Sequence, residues 1–162
     1  MPSGKKKEAI KKVEVKKELG KLGKEPEPGQ IADIEAIEGI GSVYGNNLKK
    51  VGIKTTEDLR KASVEELAKA TGIGTTLLSK WQCIADLFRV KRAAKEYSEF
   101  IYEMGIKSVK ELSEQKAEDL LKKVQGFAKG LDKKAGWQGK VRKAPSQNDI
   151  EAWIASAKEL LQ

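Results

Sequence analysis

The triplet Gly-Ile-Gly occurs twice, at Gly39-Ile40-Gly41 and at Gly72-Ile73-Gly74, each time between segments whose apolar residues recur at helical spacing. A connection this short between two helices needs residues that reach positive φ without steric penalty, and the glycines supply them. The chain must therefore reverse at these points. The helix that starts after each triplet leaves its first amide donors without carbonyl partners, and the positive end of its dipole adds to them. An anion such as a nucleic-acid phosphate fits there.

The pattern of an apolar residue, a spacer, Gly-apolar-Gly, and then a helix with small and apolar residues on one face resembles the helix-hairpin-helix family. Gly39 and Gly72 lie 33 residues apart with one helix-sized segment between them, similar to the paired form of the motif, in which a pseudo-twofold axis relates two hairpins. The resemblance implies a grip on DNA or RNA backbones without strong sequence preference, through hairpin amides set on phosphates. From about Ile34 to the end, the chain also resembles a prokaryotic domain-of-unknown-function family built from duplicated helix-hairpin-helix units. That family closes with a Pro-Ser helix start and a Trp-Ile pair, here Pro145, Ser146, Trp153 and Ile154. One departure stands out: binding members often carry Lys or Arg just after the second glycine, where this chain has Ser42, Val43, Thr75 and Thr76.

An internal repeat runs beneath the motif. Gly52-Ile53-Lys54 returns as Gly105-Ile106-Lys107, an offset of 53, and the same offset pairs Ile37 with Val90, Tyr44 with Tyr97, Leu48 with Ile101, Val51 with Met104, Leu59 with Leu112 and Leu67 with Leu120. All are expected to face a core. The reading is an all-α fold of two tandem helix-hairpin-helix pairs, a duplicated unit with four hairpins, closed by a C-terminal amphipathic helix. Opposite Gly39 and Gly41 the second half has Arg92 and Ala94, which make the glycine-dependent turn less easily, and its last hairpin falls at Gly126-Phe127-Ala128. Amide binding of phosphate is thus assigned to the first half alone. Ser63 with Glu66, Ser108 with Glu111, Thr55 with Asp58 and Ser146 with Asp149 mark helix starts. Gly52 and Gly105 mark helix ends. After Ser146 the residues Ile150, Trp153, Ile154, Ala157, Leu160 and Leu161 form one apolar stripe. Residues 1–30 read as a basic arm and linker, 31–87 as the paired unit, and 88–162 as a degenerate second unit with a basic loop and the final helix.

Charge is unevenly spread. The net charge of +8 arises from residues 1–30, with nine Lys against five Glu, and from residues 88–143, with fifteen basic against eight acidic residues. The stretch 31–87 holds seven basic and eight acidic residues. Positive charge therefore flanks the hairpins, a field that attracts polyanions. Histidine is absent and Cys83 is the only cysteine, which excludes a disulfide framework, a zinc cluster and His-based acid-base chemistry. The pairs Glu57-Asp58, Glu65-Glu66 and Glu118-Asp119 sit at helix starts, where they answer the dipole rather than form a dyad. No apolar run approaches membrane-spanning length and no secretory pattern opens the chain. The expectation is a cytoplasmic protein, nucleoid- or ribosome-associated, without enzymatic activity, cofactor, metal or membrane partner.

The residues expected to meet nucleic acid follow from this. Gly39, Ile40, Gly41 and Ser42 form the first contact and Gly72, Ile73, Gly74, Thr75 and Thr76 the second, with Ser and Thr hydroxyls bonding phosphate oxygens. Asn46, Lys49, Lys50 and Lys80 are the nearest supporting side chains. Lys129, Lys133, Lys134, Lys140, Arg142 and Lys143 surround Trp137 among glycines, a composition that suits backbone tracking with base stacking. It equally suits a solvated surface loop anchored by Trp137. The partner class is DNA or RNA backbone. The alternative is a protein-interaction adaptor or structural subunit of a ribonucleoprotein or chromatin assembly.

Overall fold

The structure is a computed structural model that describes residues 30–131 and 145–162, with the backbone alone at 94–96 and 127–131. The basic arm lies outside the described residues up to position 29. Over the described residues the chain is all-helical. A 3-10 turn at Ile34–Ala36 precedes eight helices: α1 Gly41–Lys50, α2 Thr56–Arg60, α3 Val64–Thr71, α4 Thr75–Leu87, α5 Ala94–Glu103, α6 Val109–Ser113, α7 Ala117–Leu131 and α8 Gln147–Leu160. No strand occurs among them, and one isolated antiparallel bridge joins Asp33 to Thr55. No described helix is long and apolar enough to cross a membrane.

Local chemistry sets most of these boundaries. Thr55 and Ser146 open α2 and α8 with full capping boxes, each hydroxyl accepting an amide three residues on while the Asp there accepts the cap's own amide. Ser63 and Ser108 cap α3 and α6 through the amides of Glu66 and Glu111. At the other ends, Gly52 and Gly105 take φ of 93° and 97°. There Ile53 donates to Leu48 O and Ile106 to Ile101 O, while Gly52 donates to Lys49 O and Gly105 to Tyr102 O. Both are the left-handed termination in which two orphan carbonyls are answered at once and an apolar residue closes over the last turn.

Helices α5 and α6 begin and end 53 residues after α1 and α2, and α7 begins 53 residues after α3. Beyond that point the halves differ. The sequence placed a hairpin at Gly126-Phe127-Ala128, but α7 runs unbroken from Ala117 to Leu131. An interior glycine weakens a helix by only about 1 kcal/mol, which the rest of a 15-residue helix tolerates. The C-terminal helix lays its apolar stripe on the second core: α8 packs on α6 and α7, as α4 packs on α2 and α3. Trp81 and Trp153 hold the seventh position of α4 and α8, and each meets the tyrosine of its own half, Tyr44 at 5.1 Å and Tyr97 at 5.3 Å between ring centroids. Arg92 also departs from expectation. It makes the turn that Gly39 makes 53 residues earlier, with φ of 70° against 97°, at a cost of about 1 kcal/mol for a residue with a side chain. Its guanidinium is held by Asp149 at 2.9 Å.

Two apolar clusters fill the interior. One runs from Ile34 to Phe88 around Leu48, Leu59, Leu67 and Trp81, the other from Leu87 to the last helix around Phe100, Leu112, Leu120 and Trp153. Of the residues paired by the repeat, Ile37, Leu48, Val51, Leu59 and Leu67 are buried, as are Val90, Tyr97, Ile101, Leu112 and Leu120, with Met104 partly so. Tyr44 is the exception, 38% exposed although its ring edges against Trp81.

Gly45 is buried because the 3-10 turn lies directly over it: a Cβ there would stand 2.6 Å from Glu35 Cγ. Gly45→Ala is expected to push the Glu35 side chain off Lys49 while gaining about 1 kcal/mol of helix propensity, so that stability changes by about 1 kcal/mol or less. The urea midpoint at unchanged slope measures it.

Candidate nucleic-acid interface

The two Gly-Ile-Gly corners are built alike. At the second, α3 ends in Gly72 with φ of 77°, Ile73 drops into the core, and Gly74 opens α4 in extended geometry. At the first, Gly39 and Gly41 take φ of 97° and 59° on either side of buried Ile40. The isoleucines pin the corners to the core while Gly39, Gly41, Gly72 and Gly74 stay exposed, together with Ser42, Thr75 and Thr76.

Amide availability is narrower than the sequence suggested. Ile40 N–H bonds Ile37 O and Ile73 N–H bonds the Thr71 hydroxyl, both at 3.2 Å. Each middle residue therefore anchors the corner instead of offering a donor. The open donors are the first-turn amides of α1 and α4. Ile40 and Gly74, which precede these helices, give no side-chain cap, and neither first turn contains an acid. By contrast α2, α3, α6 and α8 have a hydroxyl cap and an acid in the first turn, and α7 has Glu118 and Asp119. Ala93 before α5 also lacks a capping side chain.

The supporting lysines are mostly committed elsewhere. Lys49 pairs with Glu35 at 2.9 Å and Asp33 at 3.3 Å. The Glu35 hydrogen bond, with help from Asp33, raises its pKa above the ordinary lysine value. The Glu35 amide holds Asp33 below the usual carboxylate value, and Lys49 adds to this. Lys80 reaches across to α5, 3.6 Å from Glu99 and 3.7 Å from Glu103, with its ammonium over the Tyr102 ring. Neither is a ready phosphate ligand. Asn46 and Lys50 are exposed on α1. Lys129 falls within α7, but its side chain lies outside the described residues, as do Lys133, Lys134, Trp137, Lys140, Arg142 and Lys143 altogether.

One surface residue went unassigned in the sequence. Val43, directly after Ser42, is 75% exposed. Its signal was its place off the Leu48 stripe of α1, which leaves an apolar side chain pointing out. A shallow cleft of about 690 Å³ between the start of α7 and α8 is lined by Lys116, Glu118, Asp119, Glu151, Ile154 and Lys158 among others. It mixes both signs of charge and gives an anion no net attraction. Among the described residues no group of His, Cys, Asp and Glu gathers to hold a metal ion.

Residues 38–160 match a family described as a domain of unknown function, DUF4332. The chain belongs to the DUF4332 family. The matched DUF4332 region takes in both glycine corners and all eight helices. No curated protein and no solved structure matches the chain.

Proposed function

We propose that this DUF4332 chain is a non-catalytic protein that grips the backbone of DNA or RNA through tandem helix-hairpin-helix units, without strong sequence preference, in the cytoplasm at the nucleoid or ribosome. One observation carries the reading: α1 and α4, the two helices that follow exposed Gly-Ile-Gly corners, have neither a side-chain cap nor an acid in their first turn. Such a first turn keeps its donors and its positive dipole end for an anion. Ser42, Thr75 and Thr76 add hydroxyls at the same place. The shared boundaries at an offset of 53 and the matched tryptophans support descent from a doubled unit. In the second half the place of the three-residue corner between α3 and α4 is taken by residues 132–146, which hold five of the six clustered basic residues. Arg and Lys there supply counterion release.

Gel-shift titration of duplex DNA and structured RNA at rising salt tests this. Affinity is expected to fall at least about tenfold between roughly 50 and 200 mM salt. Binding that ignores salt, or an unshifted probe throughout, overturns it.

A second reading has its own observation. Val43 places an exposed apolar side chain beside the first corner, where Lys49 is already neutralised by two carboxylates. That combination suits a protein partner, with the corners as scaffold inside a ribonucleoprotein or chromatin assembly. An unshifted probe with the protein recovered in a nuclease-resistant complex favours it.

A further inference from the structure

Charged residues on helices usually face water, yet α4 carries Gln82, Asp86 and, just past its end, Arg89 at intervals that line one side, and all three are buried. Each has a defined task. Gln82 Nε2 donates to Leu59 O at 3.1 Å and Ala62 O at 2.7 Å, answering carbonyls at the end of α2. One turn later, Asp86 Oδ2 accepts the Val109 amide at 2.8 Å, the first amide of α6. Its other oxygen, Oδ1, accepts from Arg89 Nη1 at 2.8 Å. Helices α2 and α6 are the matching five-residue helices of the two halves, so a single face of α4 grips both.

The surroundings balance these charges. Glu57 and Arg60 form a two-pronged pair, with Arg60 Nε 2.6 Å from Oε1. The field of this pair reaches Arg89, whose pKa is lowered, mainly by burial. Two guanidinium groups thus sit among two carboxylates inside the protein. Removing ions from water is costly, and an apolar filling would often be as stable, so the best-attested return from such a cluster is fixed register between packed parts. At the matching places of α8 stand Ile154 and Lys158, which cannot repeat the arrangement. The device occurs only where one half meets the next.

We propose that Asp86 is an interlock that sets the register of the second half on the first, so that the two apolar cores open as one cooperative unit. By holding the start of α6 with one oxygen and the end of its own helix with the other, it makes any slip of α6 leave a buried carboxylate oxygen and the Val109 amide without each other. The half-buried Lys80 bridge to Glu99 and Glu103 joins the same halves at the longer distances of 3.6 and 3.7 Å, a weaker hold than the hydrogen bonds of Asp86.

Native-state hydrogen exchange on the full chain tests the interlock. In the unaltered protein the slowest amides of α1, α3 and α4 and those of α6, α7 and α8 are expected to share one exchange ceiling, the mark of joint opening. Asp86→Asn keeps the shape of the side chain and removes its charge. It is expected to accelerate the slowest amides of α6 to α8 at least about tenfold more than those of α1 and α3. Lys80→Ala is expected to leave the two ceilings together. Should Asp86→Asn lose its helical circular dichroism, Val109→Pro removes the amide that Asp86 holds, at a first helical position where proline is tolerated, and is read in the same way. Equal acceleration in both halves overturns the proposal, and so do two different ceilings in the unaltered protein.

Discussion

Replacing Ser42 and Thr75 together by Glu is expected to weaken nucleic-acid binding by about a hundredfold while leaving the helices as stable as before or more so. Both positions lie in a first helical turn that contains no acid. A carboxylate there meets the positive dipole end and stabilises the helix by about 0.3 to 1 kcal/mol. The same carboxylate occupies the place of the phosphate and repels it. A hydrogen bond to a charged group contributes about 1.5 to 3 kcal/mol, so each lost corner amounts to about a factor of ten or more. The opposite signs make the result diagnostic, because a variant that merely misfolds loses both quantities. The Ser42→Gln, Thr75→Gln pair serves as the neutral control of similar size: it loses the two hydroxyl contacts but adds no repulsion, and is expected to bind well above the Glu pair though below the parent. Anisotropy titration and thermal melting on the same samples measure both effects. Unchanged affinity in the Glu variant removes the corners from the binding surface.

Trp153→Ala is expected to cost about 3 to 5 kcal/mol, a large part of the 5 to 15 kcal/mol that holds a domain of this size together. Trp153 is wholly buried in the second core against Tyr97. Its truncation leaves a hole that neighbouring helices fill only in part. Trp153→Phe is expected to be far milder, at about 1.5 kcal/mol or less. The indole N–H has no hydrogen-bond partner among the described residues, and removing an unsatisfied buried donor returns part of what the lost volume takes away. Urea titration of the two variants checks the order. A Phe variant as damaged as Ala shows that the indole nitrogen has a partner after all.

What could be read from the sequence was what local chemistry decides. Thr55, Ser63, Ser108 and Ser146 cap helices because a hydroxyl and an acid three residues apart suffice to answer first-turn amides. Gly52 and Gly105 end helices because only glycine takes that turn at little cost. The central corner amides are engaged by near neighbours, Ile37 O and the Thr71 hydroxyl, while the other errors came from packing between parts distant in sequence. Lys49 looked free because Glu35 lies 14 residues away across the 3-10 turn. Lys80 looked free because its carboxylates stand on another helix. Asp86 and Arg89 carry no signal in the sequence, since nothing nearby in it announces that α6 will cover them. Gly126 looked like a corner because a glycine beside small residues has the composition of one, but whether a helix stops there is settled by what packs on either side of it. For the candidate interface, position was legible and occupancy was not: the corners lie at the surface as read, while their central amides and two of their lysines are already engaged.

Arg92 has a wider consequence. A left-handed corner survives there without glycine, kept by the contacts of the folded halves and by Asp149. A corner of this shape therefore forms in the chain without the residue that makes it recognisable in sequence. A survey of such chains that counts Gly-apolar-Gly triplets will undercount their reversals, whereas one that registers helix beginnings against the 53-residue interval finds them.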